Sequence, residues 1–379
     1  MDFSLSKTEK LLRQMLKEFS DNEVKPLAAE IDEEERFPLE TVEKMSKLGM
    51  MGIPIPVEYG GAGGNNIMYS MAVEELSRTC ATTGVILSAH TSLCVAPIYE
   101  LGTEQQKQKY LPNLCSGKWI GAFGLTEPNA GTDASSQQTT AVLDGDNYIL
   151  NGTKIFITNA EYAHVYIVMA MTDKSQGNRG ISAFIVERDY PGFFIGKKEK
   201  KMGIRGSATC ELVFENCIVP KENLLGKEGR GFGIAMKTLD GGRIGIAAQA
   251  LGIAQGAMDE TVKYVKERTQ FGRSISKFQN TQFQLADLET KIQAARLLIR
   301  SAAYKKDQKI PYSTDAAMAK LFASETAMEM TVKAVQFHGG YGYTREYPVE
   351  RMMRDAKITE IYEGTSEVMR MVISAQLLK

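Results

Sequence analysis

The sequence has little histidine, tryptophan, cysteine or net charge. Its 379 residues include 3 His and 1 Trp, and the formal net charge at pH 7 is −1. Such a balance argues against partners held by bulk electrostatics, so we predict that the chain binds neither nucleic acid nor a membrane surface. The five cysteines are scattered, at Cys80, Cys94, Cys115, Cys210 and Cys217. Because none forms a C-x-x-C pair and histidine is scarce, we predict no metal site and a reducing, cytoplasmic location.

Long apolar runs and nucleotide-binding signatures are also missing. No apolar run approaches the ~20 residues that span a bilayer. The start, Met1–Leu5, lacks the basic and apolar regions of a signal peptide. Neither Gly-x-Gly-x-x-Gly after a strand nor Gly-Lys-Ser/Thr occurs, which argues against a Rossmann site and a P-loop. What is present is ordinary for a globular chain, with 43% apolar and 24% charged residues.

The first part of the chain has helical periodicity, and we place a helical domain at residues 1–118. Ser6-Lys-Thr-Glu9 is a capping-box pattern, and Pro38 suits the start of a second helix. Helical patterning returns over Ile67–Ser77 and Thr82–Leu101 after a glycine-rich loop. His90 lies in the last of these helices, where a lone histidine among apolar residues is typical of a core position.

Short β-rich runs follow, and we place a β domain at residues 119–229. The predicted strands are Thr139–Leu143, Tyr148–Leu150, Lys154–Thr158, Tyr166–Met171, Ile181–Val186 and Glu211–Phe214. Asp144-Gly145-Asp146 and Asn151-Gly152 are predicted hairpin turns. This spacing favours a small antiparallel barrel or sandwich.

Helical periodicity resumes after residue 230, so a third domain is placed at 230–379. The amphipathic runs cover Gly231–Gln270, Lys277–Lys306, Ser313–His338 and Thr365–Leu378. Four such helices are enough for an up-down bundle. The predicted fold is therefore α+β and multidomain, with helical, β and helical domains in that order.

Glu363-Gly364 lies between two helical segments close to the C-terminus. A carboxylate beside a glycine in such a break can meet a ligand, because glycine lets backbone approach closely. The same pattern also suits a helix that simply begins with an acidic residue. Local pattern alone favours this second interpretation.

The surrounding run, Asp355-Ala-Lys-Ile-Thr-Glu-Ile-Tyr-Glu-Gly-Thr-Ser366, resembles the catalytic segment of the acyl-CoA dehydrogenases. The resemblance implies that Glu363 removes the α-proton of an acyl-CoA thioester. It also implies that Gly364 lies at the substrate and that Thr365 and Glu367 contact the flavin. Burial beside an acyl chain would raise the pKa of Glu363 towards neutrality, against the effect of the helix N-terminus. Some branches of the family carry their base at the position of Gly242, which cannot act as one.

Two segments of the β domain are similar to the family's flavin-binding segments. They are Phe123-Gly-Leu-Thr-Glu-Pro-Asn-Ala-Gly-Thr132 and Ile155-Phe-Ile-Thr-Asn159. Read alone, they suit a polar turn and a plain strand. The resemblance implies FAD contacts from Phe123, Leu125, Thr126, Gly131, Thr132, Phe156, Ile157 and Thr158. It further implies substrate contacts from Thr132, Asp240 and Arg243.

Two segments of the third domain resemble the family's site for the FAD of a neighbouring subunit. They are Glu267-Arg-Thr-Gln-Phe-Gly272 with Gln279, and Gln336-Phe-His-Gly-Gly-Tyr-Gly-Tyr343. Read alone, the second is a helix end with glycine stops. The resemblance implies cofactor contacts from Arg268, Gln270, Phe271, Gln279, Gln336, Gly339 and Gly340. A shared site needs at least a dimer, and the family expectation is a homotetramer.

The resemblance covers the whole chain and points to the bacterial short-chain branch. It implies reversible conversion of butyryl-CoA to crotonyl-CoA, with electrons passed to electron-transferring flavoprotein. The alternatives are a short branched-chain enzyme, an acryloyl- or crotonyl-CoA reductase, an acyl-CoA oxidase, or a helical protein that only binds CoA esters. The sequence leaves open the chain-length preference, the direction in the cell and any second electron acceptor. Met369 stands where relatives usually have Gln, and we expect only a small effect on packing.

Overall fold

A computed structural model describes residues 5–379 of the chain. The predicted absence of a signal peptide concerns Met1–Leu5, and its first four residues lie outside the described range. The order of helical, β and helical domains is confirmed. The boundaries at 118/119 and 229/230 remain a prediction.

Helices build the N-terminal part. Ser6 caps the first helix, since its Oγ accepts from Glu9 N–H at 3.2 Å while a Glu9 carboxylate oxygen accepts from Ser6 N–H at 2.7 Å. The predicted capping box is therefore confirmed. The α-helices are α1 (Lys7–Phe19), α2 (Ala28–Glu33), α3 (Leu39–Lys47), α4 (Asn66–Thr79), α5 (Ala81–Ser88), α6 (Ala96–Leu101) and α7 (Glu104–Cys115).

A π-helical segment, Ala89–Val95, joins α5 to α6. By length and composition alone, Ala81–Leu101 is apolar enough to cross a membrane. The prediction that no apolar run approaches that length was therefore wrong. Its most apolar window is 94% buried inside the protein, so it is a core helix.

His90 lies in this π-helical segment and is fully buried. Its Nδ1 accepts a hydrogen bond from Gly121 N–H at 3.0 Å. Burial lowers the pKa of His90 to about 4, so the ring is neutral at pH 7. The predicted core role is confirmed, and the bond ties the helical part to the first strand.

The β domain is an eight-stranded sheet with strand order β6-β7-β3-β2-β4-β5-β8, while β1 pairs with β4. Most pairings are antiparallel, but β1–β4 and β2–β4 are parallel. The strands are β1 (Gly121–Gly124), β2 (Thr140–Asp144), β3 (Asn147–Ile157), β4 (Val165–Met171), β5 (Ile181–Glu187), β6 (Phe193–Lys198), β7 (Cys210–Pro220) and β8 (Leu224–Leu225). The predicted turn at Asp144-Gly145-Asp146 joins β2 to β3 and is confirmed.

The predicted turn at Asn151-Gly152 was wrong. Both residues lie inside β3, which runs through the two strands predicted at Tyr148–Leu150 and Lys154–Thr158. The register of β3 against β7 shifts between Leu150 and Gly152, so the pair forms a bulge. Tertiary pairing with β2 and β7 therefore overrides the local turn preference of Asn-Gly.

The middle strand β4 is buried on both faces. Val165, Ile167 and Met169 enter a core shared with the π-helical segment and α7. The alternating residues Tyr166 and Val168 enter a second core inside the sheet. The sheet is thus fixed against the helices on one side and against its own strands on the other.

The C-terminal part is a bundle built around α8. Its helices are α8 (Gly231–Glu267), α9 (Gln279–Asp307), α10 (Ser313–His338), α11 (Val349–Lys357) and α12 (Ser366–Leu377), with a small hairpin of β9 (Thr269–Gln270) and β10 (Arg273–Ser274) between α8 and α9. Glycines let α8 approach α4: a Cβ added at Gly252 would lie 2.2 Å from the Glu74 carbonyl oxygen. The same addition at Gly256 would lie 2.0 Å from the Arg78 carbonyl oxygen.

Candidate active site

Glu363 lies in a strained turn between α11 and α12. A 3-10 turn, Ile358–Glu360, ends the first helical segment, and Thr365 caps the next by accepting from Val368 N–H at 3.3 Å. Between them Glu363 has φ 53° and Gly364 has φ 99°. A left-handed conformation costs a residue with a side chain about 1–2 kcal/mol. Such a backbone persists only where its surroundings hold it.

The Glu363 carboxylate reaches a buried position although the residue as a whole is only half-buried. Its Oε2 is buried and has no hydrogen-bond partner among the described residues. Burial raises the pKa of Glu363 to about 7, and the positive charges of Lys320 and Arg243 act against that rise. A carboxylate with this pKa is available as a base at neutral pH and can also hold the proton that it removes.

Gly242 on α8 provides the space for this carboxylate. A Cβ added there would lie 2.0 Å from Glu363 Oε2 and 2.8 Å from Leu93 Cδ2. Any larger residue would therefore displace the carboxylate or the π-helical segment. The two positions at which the resemblance places a catalytic base therefore face each other.

Arg243 holds the backbone of the turn and not its carboxylate. Its Nε donates to the Glu363 carbonyl oxygen at 3.3 Å, and its Nη1 donates to Asp240 Oδ1 at 2.6 Å. Ser313 also donates to Asp240, at 2.9 Å. The structure thus places the predicted residues Asp240, Arg243, Glu363 and Gly364 together at one site.

Lys320 on α10 belongs to this site and was missed by the sequence analysis. It is 0% exposed, and its Nζ donates to the Gly364 carbonyl oxygen at 2.6 Å. A weak signal existed, because Lys320 shares a helix face with Ala316, Ala317 and Ala323. A lysine on a face of small residues has no room to remain exposed when that face is packed.

The first flavin-like segment follows β1 and lies alongside β3. Ile155 N–H donates to the Thr126 carbonyl oxygen at 2.9 Å. Phe123, Leu125 and Ile157 are buried, Thr126 and Thr158 are half-buried, and Gly131 and Thr132 are exposed. The structure thus brings the two predicted β-domain segments together, with part of each open to a ligand.

Phe156 differs from its neighbours in being 60% exposed, with φ 59°. An exposed aromatic ring next to half-buried hydroxyls offers an apolar face and polar donors to a flat ring system with a polar edge. These residues therefore fit the isoalloxazine of a flavin.

Lys154 on β3 fixes the same segment from below and was also missed. It is 0% exposed. Its Nζ donates to the Leu125 carbonyl oxygen at 3.1 Å, to Glu127 Oε1 at 2.7 Å and to Gln137 Oε1 at 2.9 Å. The segment that follows β1 is thus anchored by one buried ammonium group.

A second group of predicted cofactor residues lines a cleft of about 530 Å³ in the helical bundle. Its walls include Arg268, Gln270, Gly339 and Gly340. Gly339 has φ 60° and ψ −136°, a conformation that glycine alone adopts readily. A guanidinium beside open glycine backbone suits a phosphate-bearing ligand.

Three other predicted residues of this group do not line the cleft. Phe271 is 93% exposed, and Gln279 and Gln336 are exposed at the start of α9 and near the end of α10. An almost fully exposed phenylalanine is unusual for an isolated chain and is typical of an interface. Glu367, predicted at the flavin, is exposed in the first turn of α12.

A much smaller cavity, of about 10 Å³, lies on the Gly241 side of α8. It has room for about one water molecule. Its lining includes the charged side chains of Lys306 and Glu100, whose Nζ and Oε1 are 3.9 Å apart. Burial lowers the pKa of Lys306, against the influence of Glu100. The cavity lies beside Gly241, the residue that precedes Gly242, and polar and charged side chains form part of its lining.

Family models match three consecutive segments of the chain. They are described as the N-terminal, middle and C-terminal domains of acyl-CoA dehydrogenase, and they match residues 6–118, 122–217 and 229–378. The chain belongs to the acyl-CoA dehydrogenase family. The order of its three domains is therefore that of the family.

Relatives within the acyl-CoA dehydrogenase family match over the full length. The short-chain specific acyl-CoA dehydrogenase of Clostridium acetobutylicum is 63% identical over 379 residues, which is 100% of each chain. The solved structure of butyryl-CoA dehydrogenase from Megasphaera elsdenii has a TM-score of 0.98 and 52% identity, again covering 100% of each chain. A chain from structural work on the electron-transferring flavoprotein of Acidaminococcus fermentans, concerned with flavin-based electron bifurcation, has a TM-score of 0.99 and 60% identity, with 100% coverage of both.

Proposed function

We propose that the chain is an FAD-dependent short-chain acyl-CoA dehydrogenase that converts butyryl-CoA to crotonyl-CoA, with Glu363 as the base for the α-proton. The observation that carries this proposal is the enclosed Glu363 carboxylate, which has an unpartnered oxygen and a pKa of about 7. The similarity to short-chain and butyryl-CoA dehydrogenases supports the substrate.

Glu363 performs two tasks in this reaction. Its carboxylate removes the weakly acidic α-proton, which is easier where burial has raised the pKa of the base. Its backbone N–H has no acceptor within hydrogen-bond geometry in the described part of the chain. That donor is thus available for the thioester oxygen, on which negative charge develops as the proton leaves.

The β domain and the bundle supply the cofactor contacts. FAD, when bound, supplies the acceptor for the hydrogen that leaves Cβ as hydride. Phe156, Thr126 and Thr158 would hold the flavin ring, with Phe123, Leu125, Gly131, Thr132, Ile157, Thr365 and Glu367 around it. Arg268 and the Gly339-Gly340 backbone would hold the phosphates and adenosine part of a neighbouring subunit's FAD, with Gln270, Phe271, Gln279 and Gln336. The exposed Phe271 supports this shared arrangement.

The small cavity beside Gly241 supports a short acyl group. An alkyl chain that extended past Gly242 towards it would meet Lys306 and Glu100. Placing apolar atoms against the partly buried Lys306 ammonium group and the more exposed Glu100 carboxylate would remove both from water without an equivalent partner, which is unfavourable. We expect a short acyl chain to end before it reaches these two charged groups.

Electron transfer and assembly complete the proposal. Electrons would pass to electron-transferring flavoprotein, which the likeness to the Acidaminococcus fermentans structure supports. The assembly would be a homotetramer, supported by cofactor residues that lie in two separate parts of one chain. The location would be the cytoplasm.

The test is the visible spectrum of the purified protein before and after anaerobic addition of butyryl-CoA. We expect flavin bands that bleach in the parent protein. A Glu363→Gln variant should retain the bands and bleach ~10²–10⁴-fold more slowly, because the base is lost while the ring contacts remain. Equal bleaching rates in the two proteins would contradict the role of Glu363.

Further outcomes separate the alternatives. Bands that persist with butyryl-CoA but bleach with a branched acyl-CoA would change the substrate. Rapid oxygen consumption after bleaching would indicate an oxidase, and preferred reduction of acryloyl-CoA would indicate a reductase. A colourless protein that takes up no FAD would favour a CoA-ester binding protein.

A further inference from the structure

Lys320 is a buried cation that has no carboxylate within bonding distance. Its ammonium group binds the Gly364 carbonyl oxygen at 2.6 Å. Isolated buried ammonium groups are costly and normally pair with a carboxylate. A purely structural need for a polar group at this place on α10 would not require a positive charge.

Two helices together hold the two consecutive carbonyls of the strained turn. Arg243 on α8 binds the Glu363 carbonyl oxygen, and Lys320 on α10 binds that of Gly364. Glu363 and Gly364, whose carbonyls are held in this way, both have positive φ. The left-handed backbone, which is unfavourable for Glu363, is thus fixed from both sides, and the fixed backbone directs the carboxylate towards Gly242.

We propose that Lys320 is a positioning residue for proton abstraction, which holds the Gly364 carbonyl and whose positive charge favours the carboxylate form of Glu363. This inference rests on the proposed function, since it assigns Lys320 a part in the same reaction. It goes further in predicting how the availability of the base depends on pH.

The charges around the turn agree with this role. Glu363, Arg243, Glu360 and Glu367 face Lys320 from the turn, α8 and the two helical segments beside it. Burial lowers the pKa of Lys320 to about 8, partly offset by Glu363, so its ammonium form predominates at pH 7.

Two tyrosines also face the carboxylate. They are Tyr362 and Tyr69, and burial, together with the neighbouring Glu363, raises the pKa of each hydroxyl. Both are therefore neutral at pH 7. Among the described groups, only Lys320 and Arg243 lower the pKa of Glu363.

The sign of the expected change follows directly. A nearby opposite charge favours the charged form of an acid and lowers its pKa, and Lys320 acts on Glu363 in this direction. Removing Lys320 should raise the pKa of Glu363 further above 7. The base would then be protonated at neutral pH, and abstraction would need a higher pH.

The experiment compares Lys320→Met, Lys320→Arg and the parent protein, all with FAD bound. Infrared difference spectra follow the protonated carboxyl band of Glu363 across pH without substrate, and the band is assigned by its absence in Glu363→Gln. We expect the midpoint to rise by about one pH unit or more in Lys320→Met and to stay nearer the parent value in Lys320→Arg. The acid limb of the bleaching rate with butyryl-CoA should move with it.

Lys291→Met is the matched control. It removes the same charge from α9, where Lys291 forms an exposed ion pair with Glu329 of α10, the helix that carries Lys320. Its midpoint should equal that of the parent. An unchanged midpoint in Lys320→Met would overturn the inference, even if the bleaching rate fell equally at every pH. If Lys320→Met does not fold, Lys320→Gln, which keeps an amide donor without charge, is read by the same criterion.

The readouts separate this inference from the proposed function. A shifted infrared midpoint in a protein that no acyl-CoA bleaches would retain the Lys320–Glu363 coupling and reject the dehydrogenase. Normal bleaching by butyryl-CoA with an unshifted midpoint would reject only the role of Lys320.

Discussion

Two loops of this molecule, one in the β domain and one in the bundle, are each held by a fully buried lysine. Lys154 binds the Leu125 carbonyl oxygen, and Lys320 binds the Gly364 carbonyl oxygen. Burial lowers the pKa of each lysine to about 8. Lys154 also donates to the Glu127 carboxylate at 2.7 Å, whereas Glu363 Oε2 near Lys320 has no hydrogen-bond partner.

The difference separates rigidity from reactivity. In the β domain the charges of Lys154 and Glu127 satisfy each other, so the loop is anchored and chemically inert. In the bundle the lysine binds only backbone, so its charge acts on a carboxylate that remains able to accept a proton. A buried lysine thus stabilises a loop in the β domain and acts on a catalytic carboxylate in the bundle.

The largest effect is expected from breaking the balanced pair. Lys154→Met leaves the Glu127 carboxylate buried without its cation, which should lower the free energy of unfolding by about 3–5 kcal/mol. Urea unfolding of the FAD-bound protein measures this, and flavin content should fall as the Leu125 segment loosens. The exposed pair offers the control, since Lys291→Met should change stability by less than about 1 kcal/mol. Equal effects of the two substitutions would contradict the contrast drawn here.

Substitution of Glu363, whose carboxylate has no bonded cation, should raise the free energy of unfolding instead of lowering it. The pKa of Glu363 rises from 4.5 to about 7 on folding, so the native state binds the proton more tightly, and stability falls as pH increases from about 4.5 to 7. Glu363→Gln removes this loss and should be more stable than the parent above pH 7, by up to about 3 kcal/mol. Melting temperatures of both proteins from pH 4 to 8 test the sign. A difference between them that does not grow with pH would contradict it.

A smaller effect is expected from crowding the carboxylate without removing it. Gly242→Ala places a methyl group 2.0 Å from the present position of Glu363 Oε2, so the carboxylate must move. We expect bleaching by butyryl-CoA to slow ~10- to 100-fold, because a displaced base no longer meets the α-proton squarely. Stopped-flow absorbance measures the rate. Gly233→Ala on the same helix, where an added Cβ meets nothing within 4 Å, is the control and should bleach at the parent rate.

The smallest effect concerns Lys306 and Glu100, the charged pair that lines the small cavity beside Gly241. Lys306→Met replaces a buried charge with an apolar group of similar length, which should ease the entry of longer acyl chains. We expect the ratio of kcat/KM for hexanoyl-CoA over butyryl-CoA to rise ~10-fold, within the ~1–3 kcal/mol that a small change in an apolar pocket contributes. An unchanged ratio would show that Lys306 does not limit the chain length.

The sequence was sufficient for elements with strong local periodicity. The helix Ser313–His338 was predicted with the bounds that the structure gives it. The strand through Asn151-Gly152 was not, because its pairing with β7 joins residues more than sixty positions apart, which local turn chemistry does not reflect. Hydrophobic periodicity predicts the positions of helices well, but it does not predict the register of strands that pair over long sequence distances.

The site divides in the same way. Glu363, Gly364, Asp240 and Arg243 carried motif signals, and the structure brings them together. Lys154 carried none, and Lys320 carried only the small residues on its helix face. A lysine in a sequence is normally expected at the surface, and only the fold reveals that its ammonium group reaches a buried carbonyl. Buried hydrogen bonds between distant segments leave little local signature.

Met369 was expected to affect packing only slightly. It is fully buried, and its Cε would lie 2.7 Å from a Cβ added at Gly364. Its thioether therefore packs directly beneath the strained turn, closer to the site than the sequence indicated.

The apolar helix Ala81–Leu101 also has a consequence for the synthesis of the protein. The helix is covered in part by α8, where Gly245 packs against Ser88, and α8 begins only at Gly231. At ~5–20 residues per second, a translating ribosome leaves the segment without that cover for roughly ten seconds. During this interval the nascent chain presents a stretch that resembles a membrane anchor. Until α8 is complete, the segment therefore exposes apolar surface that the finished protein buries.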